Sequence, residues 1–129
     1  MNGKISKYSN RNKDIHKRIY DFVIRVLNLI KQLPKTSENL VFSEQLMRAV
    51  TSMGANDQEA DASESKRDFL AKYAIVKKEN KETNYWLKLI SDRNQNFQKR
   101  MEGLMKEGKE ILNIVSTIIY NTRRGKKNL

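Results

Sequence analysis

From residue 14 onward the apolar residues return at alternating steps of four and three. Ile15, Ile19, Phe22, Val26, Leu29 and Leu33 form one such row. Leu46, Val50 and Met53 form a second, and Phe69, Tyr73, Val76, Asn80, Thr83, Leu87 and Ile90 a third. Phe97, Met101, Leu104, Gly108, Ile111, Val115 and Ile118 complete the set. A 4-3 recurrence keeps one stripe of a helix turned toward its neighbours, so each row predicts a bundle helix. The expected helices cover about 14–33, 38–62, 65–91 and 96–120. Leu33-Pro34 ends the first, because the residue before proline disfavours helical backbone. Thr36 or Ser37 is placed to cap the second. Ser63 and Ser65 are candidate caps for the third, with Asp68 three residues beyond Ser65 in a capping-box arrangement. The expected turns, 35–37, 62–65 and 91–95, are short, and short turns make consecutive helices antiparallel. The predicted fold is all-α: an antiparallel up-down-up-down four-helix bundle spanning 14–120. A basic arm over 1–13 precedes it, aperiodic and expected to be disordered, and a basic tail over 121–129 follows.

Two stripes exceed what a lone bundle needs. Tyr20, Ile24 and Leu27 lie nearly opposite the seam of the first helix, whereas an outer helix needs an apolar arc of little more than 100°. Covering the surplus calls for self-association, with these three residues and Trp86 as candidate contacts. On the third helix a second row, Ile75, Glu79, Glu82, Trp86 and Leu89, contains two carboxylates. If the chain reverses at about Glu64, Gly54 faces the level of Ala74, a small-on-small contact. Arg48 then falls between Glu79 and Glu82, which predicts a partly buried Arg48–Glu79/Glu82 ion pair. His16, beside the first seam, is assigned no role.

Composition narrows the chemistry. At 129 residues the chain is one domain, and with 38% hydrophobic and 32% charged residues it suits a soluble helical protein. There is no cysteine and one histidine, which removes disulfides and thiolate zinc sites, and no Ser/His/Asp or Cys/His set is present. The glycines are isolated and make no phosphate loop. No apolar run approaches a membrane span, so no membrane partner is expected and the cytoplasm is the default location. Neither cofactor nor metal is expected. Glu79 and Glu82 are the one carboxylate pair that an enzymatic reading could use.

The net charge of +11 points to an acidic partner, nucleic acid being the commonest. The candidate phosphate contacts are Lys4, Lys7, Arg11 and Lys13 in the arm, Lys77, Lys81 and Lys88 on the third helix, and Arg123, Arg124, Lys126 and Lys127 in the tail. In an antiparallel bundle both basic tails leave from the end that carries the acids of 57–68.

The stretch Thr51-Ser-Met-Gly-Ala-Asn56, followed by Glu59-Ala60, Ser65-Lys-Arg-Asp-Phe69, Lys78-Glu79, Glu82 and Tyr85-Trp-Leu87, resembles a family of four-helix-bundle proteins. Its members include proteins encoded within intervening sequences of bacterial 23S ribosomal RNA genes. Arg48, in Gln45-Leu-Met-Arg-Ala-Val50, also fits, and matching residues run from about Asp14 to Ile90. Met53 departs from the family's isoleucine, and the basic tails are unusual for it. The resemblance implies a left-handed up-down bundle that assembles as a homopentamer, with no catalytic residues; Arg48, Gly54, Asn56, Glu79 and Glu82 are assigned structural roles. A more distant likeness connects the chain to basic pentameric bundles that serve reverse transcriptases as accessory factors. Two functions are therefore expected to compete: a non-enzymatic homo-oligomer binding RNA or DNA through its basic surface, and a protein–protein adaptor or accessory factor with no direct nucleic-acid role.

Overall fold

A computed structural model describes residues 13–125. Four helices follow in order: α1 (Lys13–Gln32), α2 (Ser37–Asp61), α3 (Lys66–Arg93) and α4 (Gln98–Arg123), with a 3-10 turn, Gln95–Phe97, leading into α4. α1 packs against α2 and α4, and α3 packs against α2 and α4. This is the up-and-down arrangement that short connections impose.

Every residue of the α1, α2 and α3 rows is buried, and in α4 only Phe97, at its entry, is half-exposed. Burying such side chains stabilises the fold by roughly 1.5–3 kcal/mol each, and it is this summed term that holds α1 to its neighbours. The starts of α2 and α3 are capped by side chains, whereas α4 has no side-chain cap. Thr36 Oγ1 accepts from Asn39 N at 3.1 Å, and Ser65 Oγ accepts from Asp68 N at 3.0 Å, satisfying donors that a first turn leaves free. Ser63 does not cap; its hydroxyl donates to the Ala60 carbonyl. α4 runs unbroken through Gly103 and Gly108 and ends three residues later than expected.

Two polar links fix the register. At the end of α2 and α3 away from their connecting turn, Asn39 and Asn94 exchange side-chain amide hydrogen bonds at 2.8 and 2.9 Å, and Asn39 also donates to the Pro34 carbonyl. In the core, Asn80 and Asn84 of α3 both donate to the Gly108 carbonyl of α4, at 3.1 and 3.2 Å. Gly108 is required by close approach: a Cβ there would collide with the Asn84 amide oxygen and stand 3.1 Å from Phe22 Cζ.

The α2–α3 register differs from the expectation. Ser52–Glu79, Glu59–Lys72 and Glu38–Arg93 are all in contact, and each pair is centred between Ser65 and Lys66 rather than on Glu64. Gly54 consequently does not meet Ala74, which is exposed. Its close neighbour is α1, where Val23 Cγ2 would lie 3.1 Å from an added Cβ.

Candidate functional site

The shifted register also removes the expected ion pair. Arg48 is exposed and has no carboxylate within ion-pair distance among the described residues. It sits two positions past the buried Leu46, about 200° around the helix, so α2 turns it outward. Glu79 instead accepts from the Ser52 hydroxyl at 3.2 Å, and Glu82 accepts from Trp86 Nε1 at 3.4 Å. Both carboxylates are half-buried, each held by a neutral donor. Asn56 is local as well, its amide donating to the Ser52 carbonyl one turn back at 2.9 Å.

The densest polar cluster is one that sequence reasoning overlooked. His16 of α1 lies between two acids of α2. Its Nδ1 is 2.9 and 3.0 Å from the two oxygens of Asp57, and its Nε2 is 3.2 Å from Asp61 Oδ1. Tyr73 of α3 donates its hydroxyl to Asp57 Oδ1 at 2.6 Å. Asp57 and Tyr73 are fully buried, and His16 nearly so. Nδ1 donates to Asp57, while Nε2 lies within ion-pair distance of Asp61 without making a hydrogen bond. Burial opposes its charge, yet the Asp57 hydrogen bond and the charges of Asp57 and Asp61 together raise its pKa above 6.5. Burial, followed by the Asp57 charge, pushes the Tyr73 phenol well above 10. Because the two ring nitrogens point to different acids, the groups do not converge on a common centre. Among the described residues no such group is arranged to hold a metal ion. The cluster joins α1, α2 and α3 at one end of the bundle. A signal for it was present: Leu46, Val50, Met53, Asp57 and Ala60 continue the 4-3 spacing, which puts an acid on a core stripe where it needs a donor.

The basic candidates separate. Lys4, Lys7, Arg11, Lys126 and Lys127 lie outside the described residues, and Lys13 opens α1. On α3, Lys77 is half-buried, Lys81 is exposed, and Lys88 pairs with Asp92 at 3.1 Å. Arg123 and Arg124 are exposed at the end of α4, where Arg124 lies over the Tyr120 ring and donates to its hydroxyl at 2.6 Å. Lys66 Nζ approaches the Arg123 carbonyl at 3.4 Å, which brings the start of α3 to the end of α4.

The apolar candidates occupy two faces. Tyr20 is 60% exposed, Ile24 is 40% exposed, and Leu27 is half-buried. Tyr20 borders a groove of about 230 Å³ between α1 and α2, shared with Ile19, Val23, Thr51, Gly54 and Ala55. Trp86 is elsewhere, on the α2–α3 face, half-buried between Phe42 and the edge of Tyr85. Leu40, Val41, Met47 and Tyr85 are further exposed apolar residues of α2 and α3. No helix among the described residues is long and apolar enough to cross a membrane.

Residues 11–117 match the family described as 23S rRNA-intervening sequence protein. Among solved structures, the chain is similar to a protein with unknown function from the S23 ribosomal protein family of Bacteroides thetaiotaomicron VPI-5482. The two are 33% identical with a TM-score of 0.74, over 81% of this chain and 97% of that one. Comparison with curated proteins gives no match.

Proposed function

The chain belongs to the 23S rRNA-intervening sequence protein family, and from that premise we propose that it is a non-enzymatic homo-oligomer that binds RNA or DNA through a basic surface. The observation that carries this reading is the distribution of counterions. Lys17, Arg18, Lys72, Lys88 and Arg93 have carboxylate partners. Lys31, Lys35, Lys78, Lys81, Lys99, Lys106 and Lys109 are exposed without one among the described residues. A surface of cations lacking intramolecular acids attracts a polyanion, and repeating it around an oligomer multiplies the attraction.

Assembly is supported by apolar patches on two different faces, Tyr20–Ile24–Leu27 beside α2 and the Phe42–Trp86–Tyr85 cluster across α2–α3. Joining one patch to the other, copy after copy, is a head-to-tail contact, the kind that closes into a ring such as a pentamer. Arg48, exposed on α2, is free to meet a neighbouring subunit.

Affinity for nucleic acid is expected to fall linearly with salt on logarithmic axes, with a slope of about −0.9 per phosphate contact on duplex and −0.7 on single strands. Deleting 123–129 removes Arg123, Arg124, Lys126 and Lys127 and should flatten the slope by up to about three units, leaving sequence preference unchanged. Absence of any retention on RNA or DNA at about 50 mM salt would favour the second reading, a protein adaptor or accessory factor docked by the exposed Leu40, Val41 and Tyr85.

A further inference from the structure

α1 presents a heptad row toward α4: Arg18, Arg25 and Gln32. α4 answers its members differently. At Arg18 it supplies two acids, Glu107 with a two-point contact at 2.7 and 3.0 Å and Glu110 at 2.9 Å. At Arg25 it presents Gly103, where an added Cβ would lie 3.7 Å from Nη2 of the arginine. At Gln32 it presents a second cation, Arg100, which donates to Gln32 Oε1 at 2.6 Å. Arg25 and Arg100 thus edge one groove, of about 200 Å³, whose other walls are Asn28, Leu29, Gln32, Met101 and Leu104. Neither arginine has a carboxylate within ion-pair distance among the described residues.

Arg25 and Arg100 share the groove edge without an ion pair of their own, although Glu107, bound to Arg18, also acts on Arg25 through its charge. The groove has the parts of an anion site. The Arg100 guanidinium lies 4.4 Å from the Phe97 ring centroid, so stacking and the Gln32 bond fix its orientation while other N–H donors stay free. A guanidinium held this way matches a phosphate with two parallel hydrogen bonds. Leu29, Met101 and Leu104 line the groove beside the two cations, and a positively charged groove is what tracks the backbone of an unpaired strand. A groove of about 200 Å³ has room for a phosphodiester group.

We propose that the α1–α4 groove edged by Arg25 and Arg100 is a phosphate-binding subsite that takes a phosphodiester of single-stranded nucleic acid. This deepens the reading above and rests on it for the source of the phosphate. The groove lies on the α4 side of α1, whereas Tyr20 borders the groove between α1 and α2.

The test uses the full chain, a short single-stranded oligoribonucleotide, and a double variant, Arg25→Ala with Arg100→Ala. Both residues are exposed, and a thermal melt matching the wild type confirms that the fold is kept. The double variant is expected to bind the strand on the order of tenfold more weakly, with a salt slope flatter by about 1.4, two contacts at about 0.7 each. Arg25→Lys with Arg100→Lys keeps the charge and should regain the slope. If the wild type binds the strand and the alanine variant matches it in affinity and slope, the groove is overturned and the nucleic-acid reading stands. If the wild type binds no strand at low salt, that reading fails, and inorganic phosphate and a nucleoside monophosphate judge the groove alone. Shifts of the Arg25 and Arg100 Nε–H resonances in the wild type would assign it to a free phosphate compound, and unmoved resonances would overturn it.

Discussion

His16 is the residue whose environment most changes its chemistry. Its raised pKa means that the folded chain holds the proton more tightly than the unfolded one. The resulting stabilisation is fully present below about pH 6.5 and is lost as pH rises through the higher folded value. Stability measured by urea unfolding should therefore decline across that window, and His16→Gln should flatten the decline. Because this is the only histidine, its ring protons can be followed without assignment, and a midpoint at or below 6.5 would refute the arrangement. Tyr73 acts in the same direction at higher pH: its phenol resists ionisation inside, so stability falls further above about pH 10. Arg48 provides the contrast. Exposed and without an intramolecular partner, it should change the stability of the isolated subunit by no more than about 0.5 kcal/mol on replacement by alanine. A loss several times larger in dilute, monomeric protein would restore a buried pair.

At the scale of elements, the contacts of α1 set the tolerances of α2 and α4. Gly54 allows α2 to approach Val23, and Gly108 allows α4 to approach Phe22 and Asn84. Gly54→Leu should cost about 1–3 kcal/mol by overpacking this contact, read as a lowered urea midpoint. Val23→Ala in the same chain should recover part of that loss, whereas Ala74→Gly should not, because residue 74 is on the far side of α3. Wild-type-like unfolding of Gly54→Leu would mean that α1 and α2 are farther apart than described. The seams themselves were legible because 4-3 spacing is a property of one helix. The level of α2 against α3 was not, because a helix hairpin can slide by a residue or two while every seam position stays buried. Polar pairs such as Asn39–Asn94 choose among those levels.

For the whole molecule, Tyr20, Ile24 and Leu27 leave an apolar face that a single copy does not cover. Sedimentation at micromolar concentration should show a homo-oligomer, and a clean monomer of about the 15.1 kDa chain mass would refute assembly. Leu27→Asp should dissociate the subunits before it unfolds them, since it would place an unpaired charge within the contact. The start of α1 and the end of α4 lie at the end of the bundle that holds His16, Asp57 and Tyr73. The Arg25–Arg100 groove lies toward the other end of α1, so tail deletion and the double arginine variant probe separate regions of the basic surface.

The sequence by itself determined the four helices and their order, the 4-3 rows that face the core, and the excess of cations. Each of these depends on spacing within a few turns or on a count. Tertiary structure decided which surfaces meet. It turned Arg48 outward, gave Gly54 to α1 instead of α3, and brought His16 to an acid 41 positions away. It also set Arg25 beside Arg100 without an acid between them. None of these follows from periodicity, because the stagger and rotation of packed helices depend on side-chain shape and polar pairing summed over all four.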